Sequence, residues 1–200
     1  MSAAGSDGGG AGGTAGITPS QTVGPYFAIG LTWEDGAEVV PEGSEGAFWI
    51  RGRVFDGNGD PIPDAVIETW QADPDGRFDH PDDPRGAVDW GSFRGLGRSG
   101  TDDEGRYAIY TVKPGPLPAP DGATEAPHID VSVMCRGLLA RLPTRIYFPE
   151  EEAANASDPV LSSLPASADA STLMAVEDGE GGYRFDIRLQ GEGETVFFSV

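Results

Sequence analysis

The chain has 200 residues, a length that suits one domain and is enough to enclose a core. Its formal charge of −20 is spread along the sequence rather than gathered in a tail, which argues against nucleic acid and anionic membranes as partners. Nothing approaches the length of a membrane-spanning stretch, and Cys135, the one cysteine, rules out an intrachain disulfide and agrees with a reducing compartment.

Residues 1–16 are almost entirely Gly, Ala and Ser, contain no apolar run and read as a disordered tail. They lack the basic start and hydrophobic stretch of a signal peptide, so a cytoplasmic location is expected. Residues 17–45 read as an N-terminal arm and linker. Within them, 17–31 is apolar yet carries Pro19, Gly24 and Pro25, a combination that favours an extended path over a surface.

Residues 46–200 read as one all-β domain. Residues 48–55 are β-rich and stop at the turn signal Asp56-Gly57-Asn58-Gly59-Asp60-Pro61. Residues 65–71 follow and stop at Asp73-Pro74-Asp75-Gly76, and 106–112 are introduced by Thr101-Asp102-Asp103-Glu104-Gly105. Segments 129–136, 145–148, 183–190 and 195–200 complete the expected strands. Short strands at this spacing, broken by Gly and Pro, predict an antiparallel β-sandwich. Helix is confined to short pieces near 150–154 and 170–176. Two stretches, 79–98 and 114–127, are too long for simple hairpins and are expected to be functional or to cover an interface.

Few motifs carry chemistry. Asp56, Asn58 and Asp60 copy the first alternating ligands of a calcium loop, but Pro61 stands where that loop needs glycine and Ile67 where it needs glutamate, so an Asx-rich hairpin turn is expected. His128-Ile129-Asp130 is more informative. Residues two apart in a strand share a face, so an imidazole and a carboxylate lie side by side, as metal ligands, an acid–base pair or a simple hydrogen-bonded pair would. The other histidine, His80, falls in an acidic turn-like loop, so a metal site would need Asp, Glu or Tyr from elsewhere. Cys135 reads as a small buried hydrophobe, and Phe48, Trp49, Phe55 and Trp70 read as core. No phosphate-binding glycine loop and no Gly-x-Ser-x-Gly elbow is present.

Longer strings carry a resemblance. They are Thr18-Pro19-Ser20-Gln21-Thr22-Val23-Gly24-Pro25-Tyr26, Asp56-Gly57-Asn58-Gly59, Glu68-Thr69-Trp70-Gln71-Ala72-Asp73, Thr111-Val112-Lys113-Pro114-Gly115-Pro116, Ala126-Pro127-His128-Ile129, and the closing run from Tyr183 through Gly191 to Thr195. In this order, and covering 18–200, they resemble the intradiol ring-cleaving dioxygenases, and among them the α chains of two-chain members. The resemblance implies a prealbumin-like sandwich that opens a catechol between its two hydroxyl-bearing carbons, using dioxygen and a ferric ion held by two tyrosinates and two histidines.

Set against that ligand pattern, the family's His-x-His appears here as His128-Ile129-Asp130 and its Pro-Gly-Pro-Tyr as Pro114-Gly115-Pro116-Leu117. The second tyrosine is expected after Trp70-Gln71, yet no tyrosine stands between Tyr26 and Tyr107. The resemblance therefore implies an α subunit with degenerate metal positions at His128, Asp130 and Leu117, no metal and no catalytic residue of its own, and Fe(3+) bound by a partner β subunit in a heteromer of several such units. It implies protocatechuate as the catechol, and Thr22, Gly24, Pro25 and Tyr26 of the arm with Arg136 as substrate-binding residues, the guanidinium suiting a carboxylate. Two alternatives remain at this stage: a self-sufficient enzyme using His128, Asp130 and Tyr107 or Tyr110, and a non-enzymatic prealbumin-like binding module.

Overall fold

A computed structural model describes residues 19–22, 24, 26–88, 90–120 and 122–199; the expected tail at 1–16 and the arm residue Pro25 lie outside them. In chain order the elements are helix α1 (Tyr26–Leu31), strands β1 (Phe48–Phe55), β2 (Val66–Trp70), β3 (Leu96–Gly100), β4 (Arg106–Thr111), β5 (Leu117–Pro118), β6 (Thr124–Glu125), β7 (His128–Met134) and β8 (Leu142–Tyr147), helices α2 (Glu152–Ser157) and α3 (Pro159–Ser162), a 3-10 turn at Ala170–Leu173, and short strands β9 (Val176–Glu177), β10 (Tyr183–Arg184) and β11 (Ile187–Arg188). Among the described residues no helix is long and apolar enough to cross a membrane.

Two sheets make the sandwich. In the first, β1 pairs antiparallel with β4 on one side and parallel with β10 and β11 on the other, with β9 beyond β10. The second runs β3-β2-β7-β8, antiparallel throughout. Alternation decides which side chains meet: Ile50 and Val54 of β1 turn inward while Arg51 and Arg53 face out, and Ile129, Val131 and Val133 of β7 turn inward beneath Asp130. The inner faces enclose a core that includes Ile67, Ile109, Ile146, Phe148 and Ile187, each essentially inaccessible and each contributing about 1.5–3 kcal/mol by burial.

The aspartate-rich turns are stitched by their own side chains. Asp56, Asp73, Asp102 and Asp178 each accept, through one carboxylate oxygen, the backbone N–H groups two and four residues on. The segment once readable as a calcium loop is thus a turn staple, as expected.

Several elements depart from the expectations. Residues 26–31 form a helix rather than continuing an extended arm, and residues 35–40 then enter the sandwich, with Val39 and Val40 buried and Val39 N–H bonded to Tyr110 O. The long stretch 79–98 ends in a strand, β3, whose inward Gly97 leaves no room for a Cβ beside the Thr69 hydroxyl, 2.6 Å from where it would lie. The 114–127 stretch contains the β5–β6 pairing. Residues 183–190 are not one strand but two, interrupted at Phe185-Asp186, where Phe185 O lies against Gly52 so closely that any side chain there would collide. Residues 195–199 form no strand; they bridge the sheets singly, through Thr195 N to Arg188 O and Phe198 N to Pro143 O.

Candidate functional site

The outer face of the second sheet collects polar groups that a sandwich core cannot hold. Register places Trp70, Asp130 and Arg145 abreast on β2, β7 and β8, and His128 beside Tyr147. A cleft of ≈ 530 Å³ opens here, lined by Trp70, Asp130, Ser132, Arg141, Arg145 and Phe198 among others. Trp70 is backed by a parallel stack on Phe78, ring centres 5.7 Å apart.

Arg145 is the hub of this face. Its Nη1 donates to Glu125 Oε2 at 2.7 Å and its Nε to Asp130 Oδ1 at 2.9 Å, with Tyr147 Oη 3.4 Å from Nη1. Burial disfavours its charge, but Asp130, Tyr147 and Glu125 together outweigh that, and the guanidinium is held more firmly protonated than usual. Tyr147 in turn donates to Asp158 Oδ1 at 3.3 Å; burial pushes its hydroxyl above the usual phenol range against the pull of Arg145. Asp158 is fully buried and saturated: it caps α3 through Val160 N–H and Leu161 N–H and accepts from Ala126 N–H at 2.7 Å.

His128 Nδ1 lies 2.7 Å from Ala126 O, and since a carbonyl only accepts, Nδ1 carries the proton. Its Nε2 faces Glu125 Oε2 at 3.5 Å and Asp130 Oδ1 at 3.9 Å. Leu117 sits opposite Glu125 in the β5–β6 pairing, so three of the positions singled out from the sequence, His128, Asp130 and Leu117, converge on one neighbourhood. Glu125, Arg145, Tyr147 and Asp158 were missed: an outward Asp and an outward Arg are visible in two strand patterns, but the register that joins them is not. Tyr107 and Tyr110 stand apart, on β4 in the other sheet; Tyr107 donates to Phe185 O at 2.6 Å and Tyr110 Oη accepts from Gly43 N–H.

A second corner gathers the arm. Thr22 Oγ1 accepts from Gly137 N–H at 2.9 Å and lies 3.5 Å from Gly24 N, tying the arm to the turn after β7. Beside it Arg136 pairs through Nε with Asp64 Oδ2 at 2.7 Å, its side chain 61% exposed. Tyr26 and Ile29 stand on α1 almost fully exposed. Thr22, Gly24 and Arg136 are thus brought together. Cys135, next to Arg136, is buried, and burial pushes its thiol up to about 11.

A family model described as Dioxygenase matches residues 23–191. The chain belongs to the intradiol dioxygenase family. Two relatives in that family span nearly the whole chain: a protocatechuate 3,4-dioxygenase alpha chain of Burkholderia cepacia, 44% identical over 92% of this chain and 97% of that one, and one of Pseudomonas putida, 40% identical over 90% and 95%. A beta chain of the Burkholderia cepacia enzyme is 36% identical over 73% of this chain and 65% of its own length. Catechol 1,2-dioxygenase of Acinetobacter sp. ADP1 shares the sandwich, with a TM-score of 0.56 and 23% identity over 80% of this chain and 59% of that one.

The residues present do not fit the family's ferric ion. The neighbourhood offers one imidazole, a leucine at Leu117, a tyrosine whose proton is held and, in its middle, a cation of its own. Among the described residues no group of three or more His, Cys, Asp or Glu is placed to hold a metal ion.

Proposed function

We propose that this chain is the α subunit of a heteromeric protocatechuate 3,4-dioxygenase, in which the iron-bearing β subunit carries out the ring opening to 3-carboxy-cis,cis-muconate. The observation that carries the proposal is the occupied pole around Arg145: a guanidinium held between Glu125 and Asp130 leaves no place for a ferric ion there, which supports assigning the chemistry to a second chain. The cofactor, Fe(3+), then belongs to the β subunit, and protocatechuate and dioxygen are bound at the junction of the two chains in the cytoplasm. This chain's contribution is shape and charge. Thr22, Gly24 and Tyr26 of the arm form a wall of the pocket, and Arg136, exposed at the same corner, directs positive charge at the substrate carboxylate. Such charge is needed because the chain is otherwise strongly anionic, as is the substrate.

The test is reconstitution. The purified chain alone is expected to hold no stoichiometric iron and to be inactive, and co-expression with its β partner to give a coloured, active, iron-containing complex. Full activity of the isolated chain overturns the proposal.

A further inference from the structure

The pole between β7 and β8 keeps one element of a metal site, an oriented histidine. A metal-bound histidine characteristically donates its distal N–H to a backbone carbonyl, which fixes the ring and aims the other nitrogen at the ion. His128 is held in that way: Nδ1–H donates to Ala126 O, the side chain is 2% exposed, and Nε2 makes no hydrogen bond among the described residues. It is aimed instead at Glu125 Oε2 and Asp130 Oδ1, 3.5 and 3.9 Å away. Donors around a four-coordinate zinc at about 2.0–2.1 Å sit roughly 3.3–3.4 Å from one another. The His128–Glu125 separation therefore already approaches a coordination edge, and Asp130 is about half an ångström too far.

What stands among these donors is Arg145. The guanidinium takes Glu125 with one nitrogen and Asp130 with another, on the same two oxygens that face the imidazole. We infer that Arg145 is a resident cation standing in for a metal ion, and that vacating it turns Glu125, His128 and Asp130 into a divalent-cation site of zinc type. A covalently attached cation cannot dissociate, be chelated or be exchanged. This pole consequently does not take up a metal ion while Arg145 is in place. The inference concerns this chain's own residues and stands whether or not the proposed partner is found.

The experiment uses the full chain and its R145A and R145H variants, titrated with Co(2+) as a spectroscopic probe and with Zn(2+) in thermal melts. The wild type is expected to show neither ligand-field bands nor a melting shift. R145A is expected to melt lower, because two carboxylates lose their counter-charge, and to regain stability with Zn(2+) while showing Co(2+) bands of low coordination number. R145H, which adds an imidazole, binds at least as tightly; it also decides the question if R145A does not fold. R145K keeps the metal out. Adding H128A to R145A weakens Co(2+) binding by about tenfold or more. Equal rescue of R145A by Ca(2+) and Zn(2+), which signals charge screening alone, overturns the inference. So does a lack of Co(2+) binding in both R145A and R145H, or equal binding by the wild type.

Discussion

The two polar regions of this molecule are opposites. Around Arg145 the polar groups hold one another: two carboxylates grip one guanidinium, a phenol leans on it, and Asp158 beneath spends both oxygens on backbone and side-chain donors. At the arm corner the chain shows a half-free arginine, a bare Tyr26 and a threonine bond between the start of the arm and the turn after β7. A region whose hydrogen-bonding capacity is consumed internally contributes stability; a region whose groups are exposed is available to something else. The comparison divides structural from recognition chemistry within one chain, and it is open to experiment on both sides.

The largest effect is expected on the closed side. Replacing Asp158 with Ala strips two backbone donors of α3, one of Ala126 and the Tyr147 hydroxyl of their shared acceptor, and should cost about 3–5 kcal/mol in urea unfolding. Asp158→Asn, which keeps one acceptor oxygen, should cost less than half of that. A loss near zero for the alanine variant would mean that the closed network is not a structural one.

On the open side the expectation is reversed. R136A should leave the fold and the iron content of the αβ complex intact while lowering kcat/KM for protocatechuate by about tenfold to a hundredfold, the range for losing one charge-assisted contact. Unchanged kinetics would remove Arg136 from the pocket even if the family role holds. The smallest effect concerns its neighbour. With a thiol pushed up to about 11, Cys135 has on the order of one part in a thousand thiolate at pH 8, and it is 3% exposed. Native protein should therefore be inert to an aromatic disulfide reagent until denaturant is added. Rapid labelling of the native chain would show that the corner opens further than the boundary drawn here.

How much of this was legible beforehand varies with the physical signal. Strands β1, β2, β4, β7 and β8 announce themselves through inward β-branched residues and acidic turn signals, and the sandwich follows from their spacing. Strand β3 does not: Leu96-Gly97-Arg98-Ser99-Gly100 has glycine at an inward position because Thr69, Val39 and Ile109 already fill that space, a constraint written in other segments of the chain. Helix α1 was hidden behind the Pro and Gly that precede it. At the candidate site, His128 and Asp130 could be named from strand period alone. Arg145 could not, since its meaning lies in cross-strand register and in Glu125, which the short β5–β6 pairing delivers from a stretch that reads as loop.

The aspartate staples have a practical consequence. At Asp56 the turn needs only an acceptor oxygen, and asparagine offers the same atom to the same pair of N–H groups, whereas Asp102 and Asp178 also hold Arg106 and Arg51 through their second oxygen. The isoelectric point, ≈ 4.1, can thus be raised by amidation at Asp56 while that hairpin keeps its shape. Electrophoretic mobility and ion-exchange behaviour become adjustable independently of architecture.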